Sequence, residues 1–554
     1  MIVPMLHLDL VCVAAEKDAA LEKLRALKAV HLDLSSAGGS EVLSVKGEAA
    51  DAEKAVRLIL KARGKRDFPI DVRPRSVAET LQLEDDRAKL EDEKERLERE
   101  IKIYSPYGDF DPQLARKLLD KGVDIADRLP AKLPKMRLSK MQEKLSRVEN
   151  RINIDNAKLA ISDESAIIRA FPQLKDKLAF AAAKELMEEH GAVAAVSGWV
   201  PSTAAEKLRS EAAANGWGIL LREPADGESP PTLVEPPKMF RPVKALFDGL
   251  GIAPGYTEAD VSVPFMCYFS LFFAMLVGDG AYGAIFLAAT LFGWRKYRAN
   301  PGNALMRSWL VMLTVFSSAT VVWGLLSNTW FGAQIPWCAS WPTVRWLTDP
   351  SYNNMMLLCF TIGASHLMLA RLWNGICRLN DTTCLAEFGW AGVLLFMYFV
   401  TNSIVGIFSG IPSALYWVFG VSLALVFGFS VKPSELKERG AELGMLPLSI
   451  MSALGDIISY VRLFAVGLAS VKVAENFNSM ATGLLDGADS FWLKAVMAVL
   501  MVAILVVGHG LNLAMAGLSI LVHAVRLNTL EFSNHKGISW AGYAFKPFKK
   551  TKER

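Results

Sequence analysis

Residues 446–473 read LPLSIMSALGDIISYVRLFAVGLASVKV, an apolar run interrupted near its middle by Asp456 and Arg462. At 1.5 Å per helical residue the run is long enough to cross ~30 Å of hydrocarbon. Similar runs occupy 263–294, 305–326, 355–373, 385–408, 411–431 and 491–532. Residues 263–554 hold 20 Lys+Arg and 13 Asp+Glu, against 41 and 44 in residues 1–262. The chain therefore reads as an α-helical membrane protein over 263–554 with a water-soluble part over 1–262. This contrast excludes a soluble enzyme and a secreted disulfide scaffold as primary readings. The net charge of +4 carries no signature for nucleic acid.

Two polar stripes stand out on apolar helices. At 100° per residue, Ser452, Asp456 and Ser459 fall within about 60° of one another, with Arg462 about 60° further round. In the last run, Asn512, Ser519, His523 and Arg526 share a face roughly 100° wide. Such stripes face a protein interior or a wet cavity, not lipid. Structural alternatives stand beside this reading: an Asp456–Arg462 pair, a snorkelling Arg526, a satisfied buried His523. A guanidinium stays charged, so it cannot carry protons itself, but it can force a neighbouring carboxyl to ionise. Asp456 and Glu531 are the candidate carboxyls, and neither is flanked by apolar helix as a cycling site would be. The chain thus reads as half of a proton-transfer device, with the ion carrier on a second, moving subunit.

Loop charges set the expected topology. Arg295, Lys296, Arg298 and Arg307 cluster after the first run, Arg371 and Arg378 lie at the third junction, and Lys432, Lys437 and Arg439 follow the fifth. The tail from Lys546 is also basic, whereas 328–351 carries one arginine among many tryptophans. The positive-inside rule puts the basic loops in the cytoplasm and the tryptophan-rich loop outside. With 1–262 cytoplasmic, this requires 263–294 to cross twice, turning at Gly278-Asp279-Gly280. About eight transmembrane helices and two cytoplasmic termini result. The alternative is one tilted crossing, but a bare Asp279 carboxylate inside it would cost ~2.5–3.5 kcal/mol on insertion scales.

In the soluble part, a small α/β lobe is expected over 1–75, with strand-like stretches at 1–14 and 29–34 around a helix at 16–28. A second α/β stretch is expected over 180–221. Between them, Leu83, Leu90, Leu97 and Tyr104 recur every seven residues, and Met141, Leu145, Val148, Ile152 and Leu159 continue the pattern on a second arm. A narrow apolar seam on charged helices is the mark of a coiled coil, and the prolines and glycines of 104–134 let the chain return as an antiparallel hairpin over about 76–162. Six prolines in 224–242 read as a linker toward the membrane. The six cysteines form no CxxC pair and no metal-ligand spacing. No basic n-region precedes 1–15, so 1–262 is expected to remain cytoplasmic. No nucleotide loop or catalytic triad spacing is present; the expectation is no catalysis, no cofactor and no metal.

Several motifs match, in order, those of one family. Gly278-Asp279 with Tyr282-Gly283, Ser459-Tyr460-Val461-Arg462-Leu463-Phe464-Ala465, His523-Ala524-Val525-Arg526-Leu527 followed by Glu531, and Tyr543–Phe548 resemble signatures of the large membrane subunit of V-type and A-type rotary ATPases. That subunit is called subunit a, or subunit I in prokaryotes. Ser197–Pro201 resembles the Gly-Trp-Val-Pro element of its soluble half. The resemblance covers essentially the whole chain, and the short length suits a bacterial or archaeal form in the cell inner membrane.

It implies a stator subunit with ion half-channels at Arg462, Arg526, His523, Glu531, Asp456 and Ser459, and a structural membrane motif at Gly278, Asp279, Tyr282 and Gly283. It also implies partners: a proteolipid c-type ring, peripheral-stalk subunits, a central-stalk cap subunit, the soluble ATPase sector and the lipid bilayer. Eukaryotic members place a carboxylate where this chain has Ala516 and a histidine where it has Ser470, so the resemblance does not fix the half-channel lining. The competing reading is a secondary transporter with a cytoplasmic coiled-coil arm, for which inverted repeats would be expected.

Overall fold

The computed structural model describes residues 2–34, 37–62, 76–121, 129–130, 132–161, 164–225, 227–299, 301, 304–336, 338–432, 436–486 and 491–550. They are mostly helical and fall into two units, one of residues 4–228 with 546–554 and one of 229–545 with 1–3.

In the first unit, β1 (Met5–Val13) is followed by α1 (Lys17–Leu27), α2 (Ser40–Ala62), α3 (Val77–Tyr104), α4 (Pro112–Asp120), α5 (Leu138–Ile161) and α6 (Glu164–Leu186). Then come β2 (Glu188–His190), β3 (Val193–Pro201), α7 (Ala205–Asn215) and β4 (Gly218–Arg222). The strands form one antiparallel sheet in the order β2-β3-β1-β4. The two expected α/β stretches therefore share a single sheet. Alternation along β1 turns Leu8, Leu10 and Cys12 inward, onto Leu21 and Leu24 of α1 and Leu208 of α7. Among the described residues, the expected strand at 29–34 makes one bridge, His31 to Trp199. It comes so close that a Cβ at Gly198 would lie 2.6 Å from the His31 carbonyl oxygen. The C-terminal Phe548 is buried in this same core, its N–H donating to Val30 O at 2.7 Å.

Helices α3 and α5 run antiparallel. Arg87 reaches Asn156, and Lys94 reaches Glu149, so rising numbers on one face falling numbers on the other. Leu97, Val148 and Ile152 are buried between them, with Leu90 and Leu145 packed alongside. At the far end Asp111 caps α4 and pairs with Arg137, which joins the two arms.

The second unit contains α8 (Val243–Leu250), α9 (Ser262–Val277), α10 (Gly280–Ala299), α11 (Ala304–Ser327), α12 (Pro342–Leu347), α13 (Asn353–Cys377) and α14 (Cys384–Ile404). It continues with α15 (Ser413–Phe429), α16 (Leu436–Ile458), α17 (Val461–Asp486), α18 (Phe491–Ser519) and, after a π-wound stretch, α19 (Ser533–Lys536). Among the described residues, five helical stretches are long and apolar enough to cross a membrane: Leu305–Ser327, Asn353–Cys377, Cys384–Ile404, Leu443–Leu484 and Lys494–Lys536. Ser262–Val277 and Ser413–Phe429 are shorter apolar helices. The run 263–294 breaks at Gly278, which adopts a left-handed φ of 70° and ends α9. Gly280 then lies directly against Gly324 of α11, where a side chain on either residue would strike the other backbone.

Candidate functional site

Arg462 is the second residue of α17. The sequence suggests one continuous helix through it, but the chain turns at Ser459-Tyr460 between α16 and α17. The reason is tertiary. Tyr460 is fully buried, its hydroxyl 2.9 Å from His366 Nδ1 and its ring where a Cβ on Gly363 would sit. Fixing that ring fixes the turn, and the turn aims Arg462.

Arg526 and Glu531 lie where the last long helix changes its winding. Residues Ile520–Ala524 and Leu527–Phe532 are π-helical, with bonds five residues apart instead of four. At α-helical pitch, residues five apart would diverge by about 140°. Here Arg526 Nε reaches Glu531 Oε1 at 3.3 Å. Arg462 Nη2 approaches the same oxygen at 3.4 Å. The carboxylate is buried (5% side-chain exposure), whereas Arg462 and Arg526 are 24% and 51% exposed. Glu531 Oε2 and His523 Nδ1 are buried without a hydrogen-bond partner among the described residues. With Glu531 ionised, the group keeps an excess of one positive charge at a half-open face.

Asp456 joins a different group. Its Oδ2 lies 3.0 Å from His535 Nε2. Arg371 Nε donates to His535 Nδ1 at 3.1 Å, and Arg371 Nη1 donates to Glu387 at 3.1 Å. A guanidinium only donates, so Nδ1 is the acceptor and Nε2 carries the proton that Asp456 receives. His535 is thereby held neutral and oriented. An Asp456–Arg462 pair does not form; each residue takes another partner. The Ser459 hydroxyl bonds back to Gly455 O at 3.0 Å and belongs to neither group.

The sequence reading missed His535, Arg371 and Glu387. Glu387 offered the same signal that singled out Asp279, a lone carboxylate in an apolar run. Arg371, read with the charges of the third junction, lies within α13.

Asp279, also buried, is satisfied by backbone alone, accepting from Ala281 N at 2.8 Å and Gly332 N at 2.9 Å. Tyr282 extends a polar chain, its hydroxyl 2.7 Å from His509 Nδ1 and 3.1 Å from Asn512 Nδ2. Asn512 in turn accepts from the Ser470 hydroxyl at 2.9 Å. A Cβ on Gly283 would lie 2.8 Å from Val321 N, so this glycine permits the close packing of α10 on α11. Among the described residues no cluster of His, Cys, Asp and Glu could hold a metal ion.

Comparison with known proteins decides the family. Over 380 residues, 65% of this chain, it is 32% identical to the V-type ATP synthase subunit I of Borreliella burgdorferi, spanning 60% of that protein. It is 26% identical to V-type ATP synthase subunit I 1 of Treponema pallidum over 99% of this chain and 100% of the relative. The chain belongs to the subunit I family of V-type and A-type ATP synthases. An A-type subunit I from Methanocaldococcus jannaschii is 26% identical over 76% of the chain and 64% of its own length. No family model matches. Subunit I membership agrees with the apolar helices: this is a membrane protein, and the relatives are by name subunits of an ATP synthase.

Proposed function

We propose that the chain is the non-catalytic stator membrane subunit of a rotary ATPase. Residues 263–554 provide offset ion half-channels against a rotating proteolipid ring. Residues 1–262, through the coiled-coil arms at about 76–162, anchor the peripheral stalk and meet the central-stalk cap and ATPase sector. Eight membrane passes, with both termini in the cytoplasm and the protein in the cell inner membrane, follow from the loop charges.

The observation that carries this reading is the convergence of Arg462 and Arg526 on one oxygen of Glu531. A passing ring carboxylate would compete with Glu531 for Arg462, release its ion in the positive field, and move on when the guanidinium returns to Glu531. Neither arginine changes protonation; both change partner. Asp456, held by His535, provides a hydrogen-bonded carboxylate on the helix before that exchange, and His523 adds a ring nitrogen near Arg526.

The test is Arg462→Gln in the assembled complex, reconstituted in vesicles. Ion pumping is expected to vanish while the complex is recovered whole. Full pumping by that variant overturns the mechanism.

A further inference from the structure

His366 lies on α13 and is fully buried. Its Nδ1 is 2.9 Å from the Tyr460 hydroxyl, and its Nε2 is buried without a hydrogen-bond partner among the described residues. Two rings stack on the imidazole: Phe532 with centroids 4.4 Å apart and planes at 13°, and Tyr268 of α9 at 3.9 Å and 23°. Tyr460 stands two residues before Arg462, and Phe532 directly follows Glu531. One side chain of α13 therefore touches both segments that carry the Arg462–Glu531 contact, the helix break on one side and the π-wound stretch on the other.

Packing alone does not call for a histidine here. A phenyl ring would stack as well and leave no nitrogen unpaired, and a buried polar atom without a partner opposes folding. What the imidazole adds is the hydrogen bond to Tyr460. A core position that keeps a locally unfavourable group is one where something other than stability is served. The contact at stake is sensitive to position. At 3.4 Å, Arg462 Nη2 and Glu531 Oε1 are near the outer limit of a hydrogen bond, so a shift of a few tenths of an ångström decides whether it forms.

We propose that His366 is a positioning residue for the exchange of carboxylates at Arg462. It ties Tyr460 and Phe532 to a single ring, and so fixes the distance at which the guanidinium finds Glu531 again after each ring carboxylate has passed. The inference rests on the stator reading and adds to it a residue outside the Arg462–Glu531–Arg526 group.

The experiment uses the whole complex in vesicles and reads pumping and thermal unfolding together. Tyr460→Phe removes one hydroxyl and breaks the first link; Phe532→Leu removes the stacked ring and breaks the second. Each is expected to slow pumping about tenfold in a complex recovered whole. The double variant should be no slower than the slower single one, because the two links act in series. His366→Phe combined with Tyr460→Phe exchanges the hydrogen bond for apolar rings. It should unfold at or above the wild-type temperature yet pump about tenfold more slowly. Pumping that follows the unfolding temperature in every variant, or losses that multiply in the double variant, would make His366 an ordinary core residue and overturn the proposal. Normal pumping by Tyr460→Phe, where Arg462→Gln is inactive, overturns it too and leaves the stator reading standing. If Arg462→Gln also pumps, the stator reading fails and this proposal with it.

Discussion

Arg526 and Glu531, five residues apart on one helix, face each other at 3.3 Å because the chain between them is π-wound. The wider turn also brings Glu531 within 3.4 Å of Arg462, sixty-nine residues earlier. One buried carboxylate thus holds both arginines of the apolar helices.

Arg462→Lys should behave like Arg462→Gln, assembling yet losing nearly all pumping. Lysine keeps a positive charge but loses the planar donor fork that can hand one carboxylate over for another. Arg526→Lys should retain more activity, since Arg526 is half exposed and flanks the exchange. Pumping rates of both variants, at equal recovery of the complex, check the order.

Glu531→Gln should destabilise the membrane unit by about 1–3 kcal/mol, below the range for fully buried pairs because both arginines are partly exposed. The measurement is thermal unfolding in detergent. An unchanged midpoint would mean that the arginines find equal partners elsewhere.

Gly324→Ala should be tolerated far less than alanine on an exposed face. The added methyl meets the backbone of Gly280, which has no side-chain rotamer to yield. Low recovery of folded protein is expected, with Gly420→Ala, whose Cβ would meet nothing within 4 Å, as the control.

Leu145→Asp with Ile152→Asp places charges in the seam against Leu97. If the arms resist torque, ATP hydrolysis should continue while pumping falls several-fold. Unchanged coupling in an assembled complex argues against a mechanical role.

The orientation is open to direct labelling. In a background without native cysteines, Ser340→Cys should react with an impermeant thiol reagent from outside, and Arg298→Cys should not. Labelling at 298 from outside would remove the double crossing of 263–294.

The apolar helices and the seam of Leu90, Leu97, Leu145, Val148 and Ile152 were legible in the sequence, and so was the conspicuousness of Arg462 and Arg526 in apolar runs. Each rests on local information: the density of charge, the length of an apolar run, or a repeat of seven. A single carboxylate or guanidinium in a long apolar run is conspicuous wherever the chain later carries it.

What the chain alone left open was which polar groups meet. Asp456 and Arg462 lie on one segment and read as a possible pair, but Asp456 bonds His535, seventy-nine residues away. Arg462 turns from it because buried Tyr460 breaks the helix between them. A face computed at 3.6 residues per turn also cannot anticipate π winding, which depends on packing around 520–532. The sequence determined which charges lie within apolar runs; tertiary structure alone decided their partners, because those depend on helix breaks, changes of pitch and contacts between segments far apart in the chain.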